Sequence, residues 1–194
     1  MHAVRLAPLF AAVVLAACQT PAPQAPQQPQ LTFGHLPAYN LDVASIEVEN
    51  RFQAPLAPPN IDHVMPVAPA AAAERWARDR LRAAGHSGRA VFLIKDGKAT
   101  ETVLPKTPGL TGIFTKEQTG RYDAVIDVEL EIRSDRGYRD AAVLGRAQRS
   151  QTVREDASPN ERQRIMYELT EKLMTELNAT LDANIRLNLP KYLR

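Results

Sequence analysis

Cysteine is nearly absent from this chain: Cys18 is the only one in 194 residues. No disulfide can form within the molecule, and its globular part must hold together by packing alone. Aromatic residues make up only 6%, too few for the row of exposed rings on which single-stranded nucleic acid stacks. Neither sign of charge is in excess. The formal net charge is +2; cutting after Ala17 removes only Arg5 and leaves about +1, which argues against a nucleic-acid partner. Hydrophobic runs are short as well. The longest, Leu6 to Ala17 with Pro8 inside it, falls below the roughly 20 apolar residues of a bilayer-spanning helix.

Signatures of catalysis are missing too. His35, His63 and His86 are predicted in loops, and none stands at metal-ligand spacing. No Gly-rich phosphate loop follows a strand, because Gly85-His-Ser-Gly88 is too short and ends a helix instead of opening one. There is no nucleophile elbow. These gaps point to a non-enzymatic protein with no cofactor and no metal, and leave a periplasmic hydrolase as the least supported class.

What is present begins with an address. Residues 1–17 join a short start carrying His2 and Arg5 to an apolar run and small residues, the physical pattern of a secretory leader. Leu15-Ala16-Ala17-Cys18 resembles the lipobox of bacterial lipoproteins. The resemblance implies that Cys18 receives a diacylglycerol, becomes the first residue after cleavage and is acylated on its amine. Several acyl chains, each methylene worth about 0.8 kcal/mol when buried, hold a soluble domain at a membrane. In that family an Asp after the cysteine retains the protein in the inner membrane. Gln19 stands there, so the resemblance implies the periplasmic face of the outer membrane, the outer face of the inner membrane being the alternative.

Residues 18–38 are read as lipidated cysteine and tether. Gln19 to Gln30 holds only Gln, Thr, Pro and Ala, cannot bury enough surface to offset its ordering entropy, and favours polyproline II, a spacer of roughly 35 to 40 Å.

Residues 39–194 are read as a single globular domain organised around Tyr122 to Arg133. There Tyr122, Ala124, Ile126, Val128, Leu130 and Ile132 alternate with a mostly acidic set including Asp123, Asp127, Glu129 and Glu131, the period-two pattern of a strand with one face in a core. A first strand is predicted at Asp42–Glu49, then a proline-rich loop from Arg51 to Pro69. A helix follows from Pro69 to Ala84, with Gly85 as its left-handed cap and Ala73, Trp76, Ala77, Leu81 and Ala84 as its buried stripe. Ala90–Ile94 and Lys98–Leu104 flank Asp96-Gly97, a hairpin signal. The last strand, Ala141–Val153, turns small residues inward, and its Arg146 is expected opposite Asp127 or Glu129 as a cross-strand charge partner. Ser158-Pro-Asn-Glu161 is a capping box that opens a long C-terminal helix.

These elements predict an α+β fold, a two-layer sandwich with an antiparallel sheet of about five strands and two helices on one face. Their order, over about Leu41 to Ile185, resembles the lipoprotein subunit of the lipopolysaccharide translocon and the auxiliary lipoproteins of ABC-type transporters. That resemblance implies an accessory or assembly role in envelope lipid or lipopolysaccharide transport, with an envelope protein partner. The chain departs from the translocon subunit in its Pro/Gln tether and its proline loop.

Candidate contacts with a partner or lipid are of three kinds. Arg75, Arg78 and Arg82, with Arg80 and Arg89, could face anionic headgroups, or form a solvated helix face paired with Glu74 and Asp79. Leu110, Ile113 and Phe114 lie on a Gly-flanked loop. Leu181 and Ile185 belong to a four-residue repeat that winds round the helix, so its far end either packs on the loop after the first strand or meets a partner. A structural lipoprotein self-associating through that end is the alternative function.

Overall fold

The structure, a computed structural model, describes residues 30–105 and 118–194. Cys18, the tether as far as residue 29, and Leu110, Ile113 and Phe114 lie outside the described residues.

The predicted long strand is β6, Gln118–Arg133, and its six apolar positions from Tyr122 to Ile132 are each 2% exposed or less. It is the centre of the sheet. Strand β7, Arg139–Arg154, runs antiparallel along one side of it. Strands β4, Arg89–Asp96, and β5, Ala99–Val103, share the other side. Beyond β4 lies β2, Ser45–Asn50. A short β1, Tyr39–Leu41, pairs in parallel with β3, Leu81–Ala83, as a separate two-stranded sheet. Helix α1 covers Pro69–Arg80 and helix α2 covers Pro159–Asn188.

The α+β class is as expected, with two helices and a five-stranded main sheet, but the sheet is mixed. β2 and β4 pair in parallel, Ile46 beside Ala90 and Val48 beside Phe92. The chain between them carries α1, and a connection that returns through a helix delivers its second strand in the same direction as the first.

The Asp96-Gly97 hairpin does not form. β4 and β5 both run antiparallel to β6 and lie end to end along it, Arg89 to Asp96 against the stretch from Arg133 to Asp127 and Ala99 to Val103 against that from Ala124 to Gly120. Gly97 serves close packing instead: a Cβ there would stand 2.7 Å from that of Ala70 in the first turn of α1. Glycine lets the strand break lie against the helix.

Helix α1 starts with Pro69 at its first position, where a missing N–H costs nothing. It stops four residues earlier than predicted. Leu81 is extended, with φ −101 and ψ 135, because Leu81 pairs with Tyr39, so pairing with β1 overrides the local helical pattern. Gly85 is therefore no left-handed cap. It is small because a Cβ would lie 2.5 Å from the backbone nitrogen of Val43. Trp76 of the predicted stripe is fully buried and stacks on Phe92 of β4, ring centroids 5.5 Å apart.

Helix α2 begins as predicted. Ser158 Oγ accepts from the Glu161 N–H, and the Glu161 carboxylate accepts from the Ser158 N–H. The helix lies over β7, where Gly145 leaves room for Leu181. Its far end packs within the chain. Leu181, Ile185 and Leu189 are all 0% exposed, and the β1 neighbourhood closes over that end through Tyr39 bonding Asp182 and Asp42 N–H bonding Tyr192 O.

The acidic row of β6 is a charge ladder, with different cations than expected. Lys95 reaches Asp127 at 3.3 Å and Glu129 at 3.4 Å, Arg139 reaches Glu129 at 3.0 Å, and Arg133 holds Glu131. Arg146 stands opposite Asp127 in register but makes no ion pair with it among the described residues. Val91 and Leu93, the neighbours of Glu131 and Glu129 on this face, are buried beneath the long ionic side chains.

Candidate functional site

The entry segment crosses the helices at a seam that the sequence did not announce. Phe33, within the stretch read as tether, is 5% exposed, and its N–H donates to Asp79 Oδ2 at 2.8 Å. The hydrogen bond joins the segment to α1, and the ring joins it to the core. Beside it, a cavity of about 390 Å³ opens between this segment and α2. Leu31, Leu36 and Met174 supply apolar wall, while Glu171, Thr175 and Asn178 supply the polar groups.

Asn178 connects this cleft to a buried cation. Its Oδ1 accepts from Trp76 Nε1 at 2.8 Å and from Arg80 at 3.2 Å. Arg80 is 2% exposed. Its guanidinium carbon lies 4.8 Å from the Tyr39 ring centroid and 5.8 Å from that of Trp76, so aromatic faces replace the lost water. Asp182 is 3.7 Å away and also accepts from Tyr39 and Arg186. Hydrogen bonds from Arg186 and from Tyr39 hold the Asp182 carboxyl below its usual range. Burial, reinforced by the Asp182 bond, pushes the Tyr39 phenol up. Arg80 is thus a neutralised structural charge that ties β1, α1 and α2 together.

Sequence reasoning placed Arg80 among surface arginines. Its position was legible from spacing, since residue 80 follows Trp76 by four and Ala77 by three and so shares their face. The other arginines do not converge on a common target. Arg75 faces Asp79 at 3.7 Å and Gln30 at 3.4 Å, Arg78 pairs with Glu74, Arg82 donates to the Arg78 and Leu81 carbonyls, and Arg89 faces Glu47 at 3.6 Å. Each is tied locally, the Glu74–Arg78 pair being the one foreseen at i, i+4. Leu181 and Ile185, offered as partner contacts, are core residues; exposed Leu187 is the apolar residue that end presents to solvent.

A second cavity, about 240 Å³, lies under the proline loop against the start of α1. Phe52 and Leu56 are at its rim, Asp62 and Gly97 at its wall. Leu56 is held at φ 55 and is 66% exposed. Asp62 is 5% exposed; one oxygen accepts from the Ala99 N–H, the other has no partner among the described residues, and burial raises its pKa. His35 and His63 line the first and second cavities. Among the described residues no three His, Cys, Asp or Glu side chains could hold a metal ion, and no helix there is long and apolar enough to cross a membrane. An apolar wall with an amide and carboxylate floor can accommodate an apolar group with a polar end.

No protein-family model matches the chain, and no curated protein matches it.

Proposed function

We propose that the chain is a non-enzymatic lipoprotein of the cell envelope, held by acylated Cys18 at the periplasmic face of the outer membrane. It serves as an accessory or assembly subunit of an envelope lipid or lipopolysaccharide transport system, bound to an envelope protein. The observation that carries the reading is Leu15-Ala-Ala-Cys18, a matching tetrapeptide on the only cysteine, behind a charged start and a short apolar run. The domain's geometry supports it. Among the described residues packing begins at Leu31 and Phe33, which leaves about a dozen residues after Cys18, of a composition whose reach as polyproline II is roughly 35 to 40 Å. The hydrogen bond from the Phe33 N–H to Asp79 fastens the tether where it meets the domain.

Metabolic labelling with an alkyne-bearing palmitate tests the anchor. The wild-type chain should carry the label and sediment with membranes, and Cys18→Ala should lose both; label retained by the variant overturns the assignment. Cross-linking in intact envelope tests the accessory role, which a strictly solitary protein would sink.

A further inference from the structure

From the course of β7 we infer that its free edge accepts an extended, acidic segment of a partner protein as a sixth strand of the main sheet. β7 pairs with β6 over its whole length and, among the described residues, with no other strand. The direction of its outer groups follows from one bond: Asn184 Nδ2 donates to Leu144 O at 2.7 Å from the side away from β6. Backbone groups alternate sides along a strand, so the even-numbered residues Arg146, Gln148, Ser150 and Thr152 point theirs outward. No described residue bonds those outward groups, and the four side chains are exposed. The register is unbroken from Ala141 to Val153 and holds no proline. Long edges are ordinarily blunted by a bulge, a proline, a covering element or charged side chains; from Arg146 to Thr152 only the charges of Arg146 and Arg149 are present, and these oppose a basic strand, not an acidic one. This one is an open template for strand addition.

Two features choose the occupant. A second copy is excluded by α2, which lies directly over β7 through Leu181 against Gly145 and Glu176 against Arg149 at 2.8 Å. Pairing two β7 strands about 4.8 Å apart would bring two α2 helices to a similar separation, where packed helices need about 8–10 Å. The added strand must come without a helix layer. Its charge is set by Arg146, which has no ion pair among the described residues, while Arg89, Lys95, Arg133 and Arg139 on the same face are all paired. An acidic residue opposite Arg146 completes the ladder. The edge belongs to the domain, and the inference stands whether or not Cys18 carries lipid.

The test uses the full chain in detergent micelles and a capped nine-residue peptide alternating threonine and valine around a central glutamate, beside a twin with central lysine. Amide hydrogen exchange is read residue by residue. Addition of the glutamate peptide should slow exchange at Arg146, Gln148, Ser150 and Thr152 at least tenfold and leave the odd-numbered amides, already bonded to β6, unchanged. The lysine twin should bind at least threefold more weakly, and Arg146→Glu should reverse that order. Gln148→Pro, which removes an outward donor and no β6 bond, should abolish the protection. Even-numbered amides that are protected without peptide, or unaffected at millimolar peptide, overturn the inference. So does dimerisation through this edge, or a peptide preference that Arg146→Glu leaves unchanged.

Discussion

Gly145 of β7 and Leu181 of α2 meet so closely that a Cβ on the glycine would lie 2.7 Å from Leu181 Cδ2 and 3.0 Å from Leu177 Cδ1. The bare backbone at residue 145 therefore sets the height at which α2 rides over the sheet. Gly145→Val should lift the helix and cost about 1–3 kcal/mol, the usual penalty for overpacking. Urea unfolding should show a lower midpoint at unchanged slope. Leu181→Ala alone should cost about 2–5 kcal/mol, and the double variant should be less destabilised than the sum, since each change relieves the other. Simple additivity would show that the two residues do not share this contact.

Much of this arrangement was legible because it rests on local periodicity. The alternation from Tyr122 to Ile132 and the box from Ser158 to Glu161 each name their own structure, and the small residues that the last strand turns inward are those over which α2 lies. What was not legible depended on partners distant in sequence. Asp96-Gly97 carries a hairpin signal, yet β6 is long enough to accept both β4 and β5 on one side, and the glycine is needed for Ala70. The end of α1 was set by Tyr39, some forty residues earlier. The parallel β2–β4 pair could have been read, because strand, helix, strand is the order of a crossover unit. The seam cleft rests on Phe33, whose burial nothing in a Pro/Gln-rich surrounding foretold.

Ser158 closes the start of α2 reciprocally with Glu161. Ser158→Ala should cost about 1 kcal/mol, while Ser158→Asp, also a good N-cap, should cost far less. Thermal unfolding ranks the three proteins. The hydrogen bond from the Ser158 N–H holds the Glu161 carboxyl below its ordinary value. A depressed acid stabilises the fold above its unfolded value and loses that contribution as pH falls through the folded one. The gap between wild type and Glu161→Ala, which removes the carboxylate, should therefore narrow on acidification below about pH 4.5. A gap that widens there would refute the reciprocal cap.

Arg80 and Arg82 are two residues apart and differ in almost everything that decides their worth. Arg80 lies between the Tyr39 and Trp76 rings with Asn178 and Asp182 at its ends, whereas Arg82 is exposed and reaches only backbone carbonyls. Arg80→Ala should cost about 2–5 kcal/mol, as emptying a packed core position of its side chain does, and should change the emission of Trp76. Arg82→Ala should stay within about 0.5 kcal/mol of wild type. Arg80→Lys should recover little, because an ammonium cannot stack between two rings and reach both ends at once. Equal effects at the two positions would remove Arg80 from the core.

Asp62 is buried against the Ala99 N–H with its second oxygen unpartnered among the described residues, and burial raises its pKa above 3.8. The folded state thus holds this proton more tightly than the unfolded state. Stability contributed by the group is present below the unfolded value and falls as pH rises from there through the raised folded value. Asp62→Asn keeps an acceptor for Ala99 and removes the charge, so it should be more stable than wild type at pH 7. That advantage should shrink as pH approaches about 3.8. Asp62→Ala leaves the Ala99 N–H without its acceptor and should instead lose about 1–3 kcal/mol. Urea midpoints of the three proteins at about pH 4 and pH 7 separate the two effects. An Asn variant less stable than wild type at pH 7 would show that the carboxylate is compensated in the fold and carries no net cost.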